Sequence, residues 1–281
     1  MQRTSKLAGF HPQLRNFTVR RDLTSDELAK HDAYTPIAAE ARERLKLFRI
    51  LDINYKDWQN YVNDLLSAKP RTDDEWLHLD RLLMNYVACA YAVEKHFKVS
   101  YQRRFRKDAD KQKQYADFLN RLYTNAWATG FFLDFRGYIQ HCGLGIGRFN
   151  RRVRSDSVKL TVTCDAVDLT REVREWKRSK LTAGHGTLKI IPLMEQCHFH
   201  MLQSYAAFVA TAFFPELKPA AEFYGNLTKE LQEKHPGYRM IFLRQTRPRR
   251  KKDGSISRNV TWTEVPNDLL RELAITAPTS L

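Results

Sequence analysis

The sequence predicts a mainly α protein with an α+β C-terminal part, and three observations carry that expectation. Apolar residues recur at helical spacing from about residue 37 to residue 141. The period then changes to alternation, with Val158, Leu160, Val162 and Cys164 interleaved by Lys159, Thr161 and Thr163. Helical and strand-like stretches follow one another from there to about residue 265. The architecture expected is a helical bundle carrying a small antiparallel β component.

Taken in order, residues 1–35 mix charges without a sustained period and read as an irregular segment. Ala38, Ala41, Leu45 and Phe48 place a helix over 37–50, and Trp58, Tyr61, Val62 and Leu65 place a second over 55–66. Pro70 breaks the pattern. Thr72 is a candidate N-cap, with Asp73, Asp74 and Glu75 in the first turn, where carboxylates suit the helix dipole. A long helix then runs to about Arg106, with Leu79, Leu82, Leu83, Tyr86, Val87 and Ala90 as a broad core face. The next helix starts near Asp110 and is expected to reach His141, kinked at Gly130. Strands are expected over 158–164, 188–193, 238–245 and 259–265, and helices over 202–214 and 220–233. Between the last two strands, TRPRRKKDGSISR holds an Asp253-Gly254 turn signal and makes a basic hairpin tip. The division expected is 1–35 irregular, 36–150 helical bundle, and 151–281 α+β with the basic hairpin, packed on the bundle.

Bulk properties narrow the function. With 281 residues the chain has room for a sizeable core, and 43% hydrophobic content with five tryptophans excludes a disordered chain. A net charge of +15 favours polyanionic partners, nucleic acid before an anionic membrane surface. The four cysteines, Cys89, Cys142, Cys164 and Cys197, form no CxxC pair, which suits a reducing compartment. The opening MQRTSKLAGFHPQL has no apolar signal core and no apolar run is long enough to span a bilayer, so a cytoplasmic protein with no membrane partner is expected.

The chemistry is sought in FRGYIQHCGLGIG, Phe135 to Gly147. Arg136 and His141 stand five positions apart at the end of a strongly apolar helix. Gly143, Gly145 and Gly147 mark a helix C-terminus directly after the histidine, a place that favours cations. Arg148, Arg151, Arg152 and Arg154 follow as an electropositive lane. Two readings of the pair stay open on the residues alone: stabilising cations at a helix end, or an active site. Arg249, Arg250, Lys251 and Lys252 are a second candidate RNA-binding run, or a solvated loop. Cys197-His198-Phe199-His200 lacks a second ligand pair at zinc-finger spacing, and GLGIG lacks the Walker lysine. No metal and no cofactor is expected.

The stretch Arg136-Gly-Tyr-Ile-Gln-His141-Cys-Gly-Leu144 resembles the motif region of HEPN-domain proteins, R-N-Y-I-Q-H-x-G-L, over roughly residues 72–147. Gly137 stands where that family usually carries Asn, Asp or His, and Gly143 where some HEPN toxins carry Tyr. The resemblance implies a four-helix bundle, metal-independent endoribonuclease activity at a cleft shared by two copies, and a toxin or phage-defence role with an antitoxin or regulatory protein as a partner. It implies that His141 moves protons and Arg136 holds the scissile phosphate. Tyr138 and Gln140 are candidate orienting residues, or else a packed ring and a cap. The alternative function is a non-catalytic nucleic-acid-binding and dimerisation protein.

Overall fold

A computed structural model describes residues 5–11, 13, 16–67, 74–143, 147–154, 157–173, 175–234, 238–245, 249–250, 256–257 and 260–264. The chain is mainly α with small antiparallel sheets, and it divides into two compact units, 1–42 with 209–281, and 43–208. The division differs from the one expected at residues 35 and 150. The α helix that completes the bundle comes from beyond residue 150, and the N-terminal segment is structured.

In the first of these units, β1 (Ser5–His11) pairs antiparallel with β2 (Asn16–Asp22). The helix α1 (Ser25–Leu65) follows at once. The segment read as irregular is therefore two strands and a helix start. Their core-facing residues are few and short (Leu7, Ala8), which left no period to detect. β6 (Arg239–Gln245) and β9 (Val260–Glu264) extend the sheet in the order β2-β1-β6-β9. α7 (Phe214–Lys234) belongs to the same unit. His31 is buried here, within 3.0 Å of the Tyr224 hydroxyl and stacked on Phe242 at 3.9 Å. β7 (Arg249–Arg250) pairs antiparallel with β8 (Ile256–Ser257), as the basic hairpin requires. Its tip, with Lys251 and Lys252, lies outside the described residues.

Helix α1 begins in a capping box. Thr24 N–H donates to Glu27 Oε2 (2.9 Å), and Glu27 N–H donates to Thr24 Oγ1 (3.2 Å). The two helices expected over 37–50 and 55–66 are one helix, which starts before Pro36 and runs unbroken through residues 51–54. Proline removes one ladder donor, and Ile37, Ala38 and Ala41 are buried immediately after it.

In the second unit α2 (Glu75–Arg104), α3 (Ala109–Asn125), α4 (Trp127–His141) and α6 (Ile190–Ala212, to Phe208) pack with the later part of α1. An aromatic chain fills their core: Phe48 stacks on Tyr205 at 4.2 Å, Phe97 on Phe208 at 4.4 Å, and Tyr101 on Tyr115 at 4.3 Å. Thr72, the candidate cap of α2, lies outside the described residues. The helix expected from 110 to 141 is two helices, broken at Ala126 (φ −120°, ψ 65°) and not kinked at Gly130. Gly130 has a different role, described below. The strand expected over 188–193 is only β5 (Thr187–Lys189), because α6 starts at Ile190 with Pro192 in its first turn. A short apolar run does not distinguish strand from buried helix. β3 (Arg148–Val153), β4 (Val158–Asp165) and β5 form an antiparallel sheet in that order, and α5 (Ala166–Glu172) is capped by the Asp165 carboxylate. No helix among the described residues is long and apolar enough to cross a membrane.

Candidate functional site

Helix α4 presents the motif, and its apolar content fixes it in place. Phe131, Phe132 and Phe135 are fully buried, with Ala128 and Leu133 beside them. Phe131 stacks on Trp176 at 5.8 Å. The chain around Arg178 and Ser179 lies directly against α4 at Gly130, where a Cβ would meet the Arg178 carbonyl carbon and the Ser179 nitrogen at 3.2 Å. Asp134, one turn further on and half-buried with its side chain only 7% exposed, ties that segment down. Its carboxylate accepts from Arg178 N–H (2.8 Å), Ser179 N–H (3.0 Å), Ser179 Oγ (3.2 Å) and the Arg178 guanidinium (3.0 Å). Trp127 Nε1 donates to the Ser179 carbonyl at 2.7 Å. Four charge-assisted bonds on one carboxylate, with an indole clamp, make α4 a rigid support.

Arg136 is half-buried, and its guanidinium carbon lies 4.2 Å from the centroid of the Tyr91 ring on α2. Arg178 approaches the same ring at 6.0 Å. His141 is the last residue of α4 and is exposed. Among the described residues its imidazole has no hydrogen-bond or ion-pair partner. The helix stops there as expected: Cys142 and Gly143 N–H groups both turn back to the Tyr138 carbonyl, at 2.8 and 3.4 Å. Leu144 and Gly145 lie outside the described residues.

Residues five apart on one helix differ by about 140° around the axis and about 7.5 Å along it. The single chain therefore does not bring Arg136 and His141 together. Gly137 sits one turn before His141 on the same helix face. Among the described residues a Cβ at Gly137 would meet nothing within 4 Å, so the helix face there is uncovered.

The other motif residues divide. Tyr138 is a packed ring, stacked on Phe135 at 5.7 Å and 6.3 Å from Trp176, and burial pushes its hydroxyl pKa up. Gln140 is exposed, on the face it shares with Arg136. Arg148, Arg152 and Arg154 are exposed on or beside β3, but Arg151 is not part of that lane. Its guanidinium donates to the Leu65 carbonyl at 2.7 Å and to the Ser67 carbonyl, so it caps the end of α1. Strand alternation, invisible in a run of basic residues, is the physical reason for the split. Arg249 and Arg250 belong to the other unit.

Cys197 and His198 lie on α6 and are buried. Cys197 Sγ accepts from the Tyr86 hydroxyl at 3.7 Å, and burial pushes its thiol up to about 12. His198 Nε2 lies 3.4 Å from Asp52 Oδ1, and the ring stacks on Tyr55 at 3.8 Å. Burial lowers the His198 pKa, opposed by the Asp52 carboxylate. Among the described residues no three His, Cys, Asp or Glu side chains are grouped so as to hold a metal ion.

Sequence reasoning missed Tyr91 and Asp134, the residues that position Arg136 and α4. Both look like ordinary helix residues, and only a contact between distant segments reveals them. The alternation of Lys159, Thr161 and Thr163 was legible, and it marked the strand that lies across from the arginines. No protein-family model, curated protein or solved structure matches this chain.

Proposed function

We propose that the chain is a metal-independent endoribonuclease of HEPN type that cleaves RNA at a cleft shared by two copies. The observation that carries the reading is the exposed His141 at the tip of an anchored helix, with Arg136 held on Tyr91 one turn and a half earlier. A twofold contact between such tips duplicates each group and supplies the arginine and histidine that one chain keeps apart. One imidazole takes the 2′-hydroxyl proton as the 2′-oxygen bonds to phosphorus. The other gives a proton to the 5′-oxygen as the P–O5′ bond breaks, leaving a 2′,3′-cyclic phosphate. Arg136 neutralises the charge that grows on the phosphoryl oxygens. The uncovered helix face at Gly137 gives the phosphate access to the ring. A toxin or phage-defence effector held in check by a partner protein fits such an activity.

The second reading is a nucleic-acid-binding and dimerisation protein without cleavage. The absence of any orienting partner on His141 among the described residues favours it. One experiment separates the two. RNA is incubated with the protein in EDTA, beside Arg136→Ala and His141→Ala. Cyclic-phosphate products that vanish in both variants support the nuclease. Salt-sensitive binding with intact RNA supports the second reading and rules out the first.

A further inference from the structure

The ribbon of β3 and β4 has two unlike faces. Its register pairs Arg148 with Thr163, Asn150 with Thr161, and Arg152 with Lys159. Directly paired residues of an antiparallel ribbon share a face, and the face alternates along each strand. One face therefore holds these six polar groups, and the other holds Phe149 and Arg151 with Val162 and Leu160. The polar face lines a cleft of about 540 Å³, whose edge Phe149 also reaches. Trp76 lines the same cleft, half-buried and edge-on to Phe149 at 5.6 Å. Among the described residues no carboxylate lines it. Arg148, Arg152 and Lys159 are exposed and have no ion-pair partner among the described residues.

We infer that this cleft is a binding tract for single-stranded nucleic acid, with the three cations on the phosphates and Trp76 as a stacking surface for a base. Residues on one face of a strand recur about every 6.7 Å, an interval close to that at which an extended polynucleotide repeats its phosphates. Asn150 and Thr161 supply neutral donors and acceptors between the cations, suited to sugar and phosphate oxygens, while Thr163 is buried at the base of the cleft. A concave wall with an indole suits a strand whose bases are free to stack, and a duplex would keep its bases inside. Arg148 follows His141 by seven residues, so the tract begins no more than about 25 Å from the motif. The inference shares with the proposed function the premise that the ligand is a polynucleotide. It does not depend on cleavage.

The test uses the full chain carrying His141→Ala, to keep the probe intact, and a fluorescent 12-nucleotide oligouridylate in anisotropy titrations from 50 to 300 mM NaCl. Arg148→Ala/Arg152→Ala/Lys159→Ala should weaken binding at least tenfold at 100 mM. It should also reduce the slope of log K against log salt by about 2, three contacts at ~0.7 each. Trp76→Leu should weaken binding severalfold and leave the slope unchanged. Lys107→Ala/Lys113→Ala/Lys218→Ala removes equal charge elsewhere, with circular dichroism confirming the fold of each variant. A cleft triple that matches this control overturns the inference and leaves the cations as guards of an edge strand. Equal affinity for anionic vesicles or polyglutamate overturns it too. Cleavage by the unmodified chain is scored separately. Binding through the cleft without cleavage removes the nuclease and keeps the tract, and cleavage with unchanged binding in the triple does the reverse.

Discussion

The Arg136 guanidinium lies 4.2 Å from the centroid of the Tyr91 ring, joining α4 to α2 at the candidate site. Among the described residues no carboxylate pairs with it, and a cation held over a ring keeps N–H donors for a phosphate.

Tyr91→Leu should therefore lower RNA cleavage by raising KM more than it lowers kcat, since Arg136 loses its rest position but keeps its charge. Stability should fall by about 0.5–1 kcal/mol, the size of a half-exposed cation–π contact. Tyr91→Phe should restore both. Steady-state kinetics and urea denaturation of the two variants check this, and equal loss in Leu and Phe would contradict it.

Asp134→Ala should be among the most damaging single changes in the second unit. It leaves two backbone N–H groups and a guanidinium without their shared acceptor. A loss of about 2–3 kcal/mol is expected from breaking a half-buried charged network. The denaturation midpoint reads it directly.

Two glycines seven residues apart on α4 should respond with opposite signs. Alanine at Gly130 forces a methyl to 3.2 Å from backbone atoms that Asp134 holds in place, and should cost about 1–3 kcal/mol. Alanine at Gly137 meets open space and should stabilise by about 0.5–1 kcal/mol through helix propensity alone. Thermal melts of the pair give the comparison, and a shift in the same direction for both would contradict the packing described.

His198 sets a pH dependence of known sign. Its folded pKa lies below the ordinary value of 6.5, chiefly through burial. Above 6.5 both states hold it neutral and nothing is lost. Below 6.5 the unfolded chain takes up the proton first, so stability falls until the lowered folded pKa is passed, and then levels off. His198→Phe should flatten that fall between pH 7.5 and 5.5 in urea titrations.

Glu27 acts in a separate, more acidic window. Its hydrogen bonds from Arg21, at 2.6 and 2.7 Å, and its cap of α1 lower its pKa from 4.5 to about 2. The stability it contributes is complete above 4.5 and is lost as pH falls toward 2. The difference in melting temperature between the protein and Glu27→Gln should shrink over that range, and a constant difference would refute the linkage.

Much of the helical half was legible because it obeys one physical rule. Leu79, Leu82, Leu83, Tyr86, Val87 and Ala90 repeat with the helix, and all are buried on α2. The end of α4 at His141 was legible from the glycines after it. The merged helix through Pro36 and the break at Ala126 were not, since tertiary packing overrides local breakers and local propensity. The pair of Arg136 with Tyr91 depends on α2 and α4 lying side by side, a relation between segments that no local pattern encodes. Arg151 was misread because four arginines within seven residues look alike until a strand places Arg151 on one side and Arg148 and Arg152 on the other.

That assignment makes the ribbon sensitive to a frameshift in space. Insertion or deletion of a single residue ahead of Phe149 would rotate every side chain of β3 by half a turn. Arg151 would swing into solvent, Arg152 would face α1, and the helix terminus and the cationic tract would fail together. Two properties that evolution could otherwise adjust separately are thus locked to one count of residues, which leaves substitution, and not length change, as the route by which this strand can diverge.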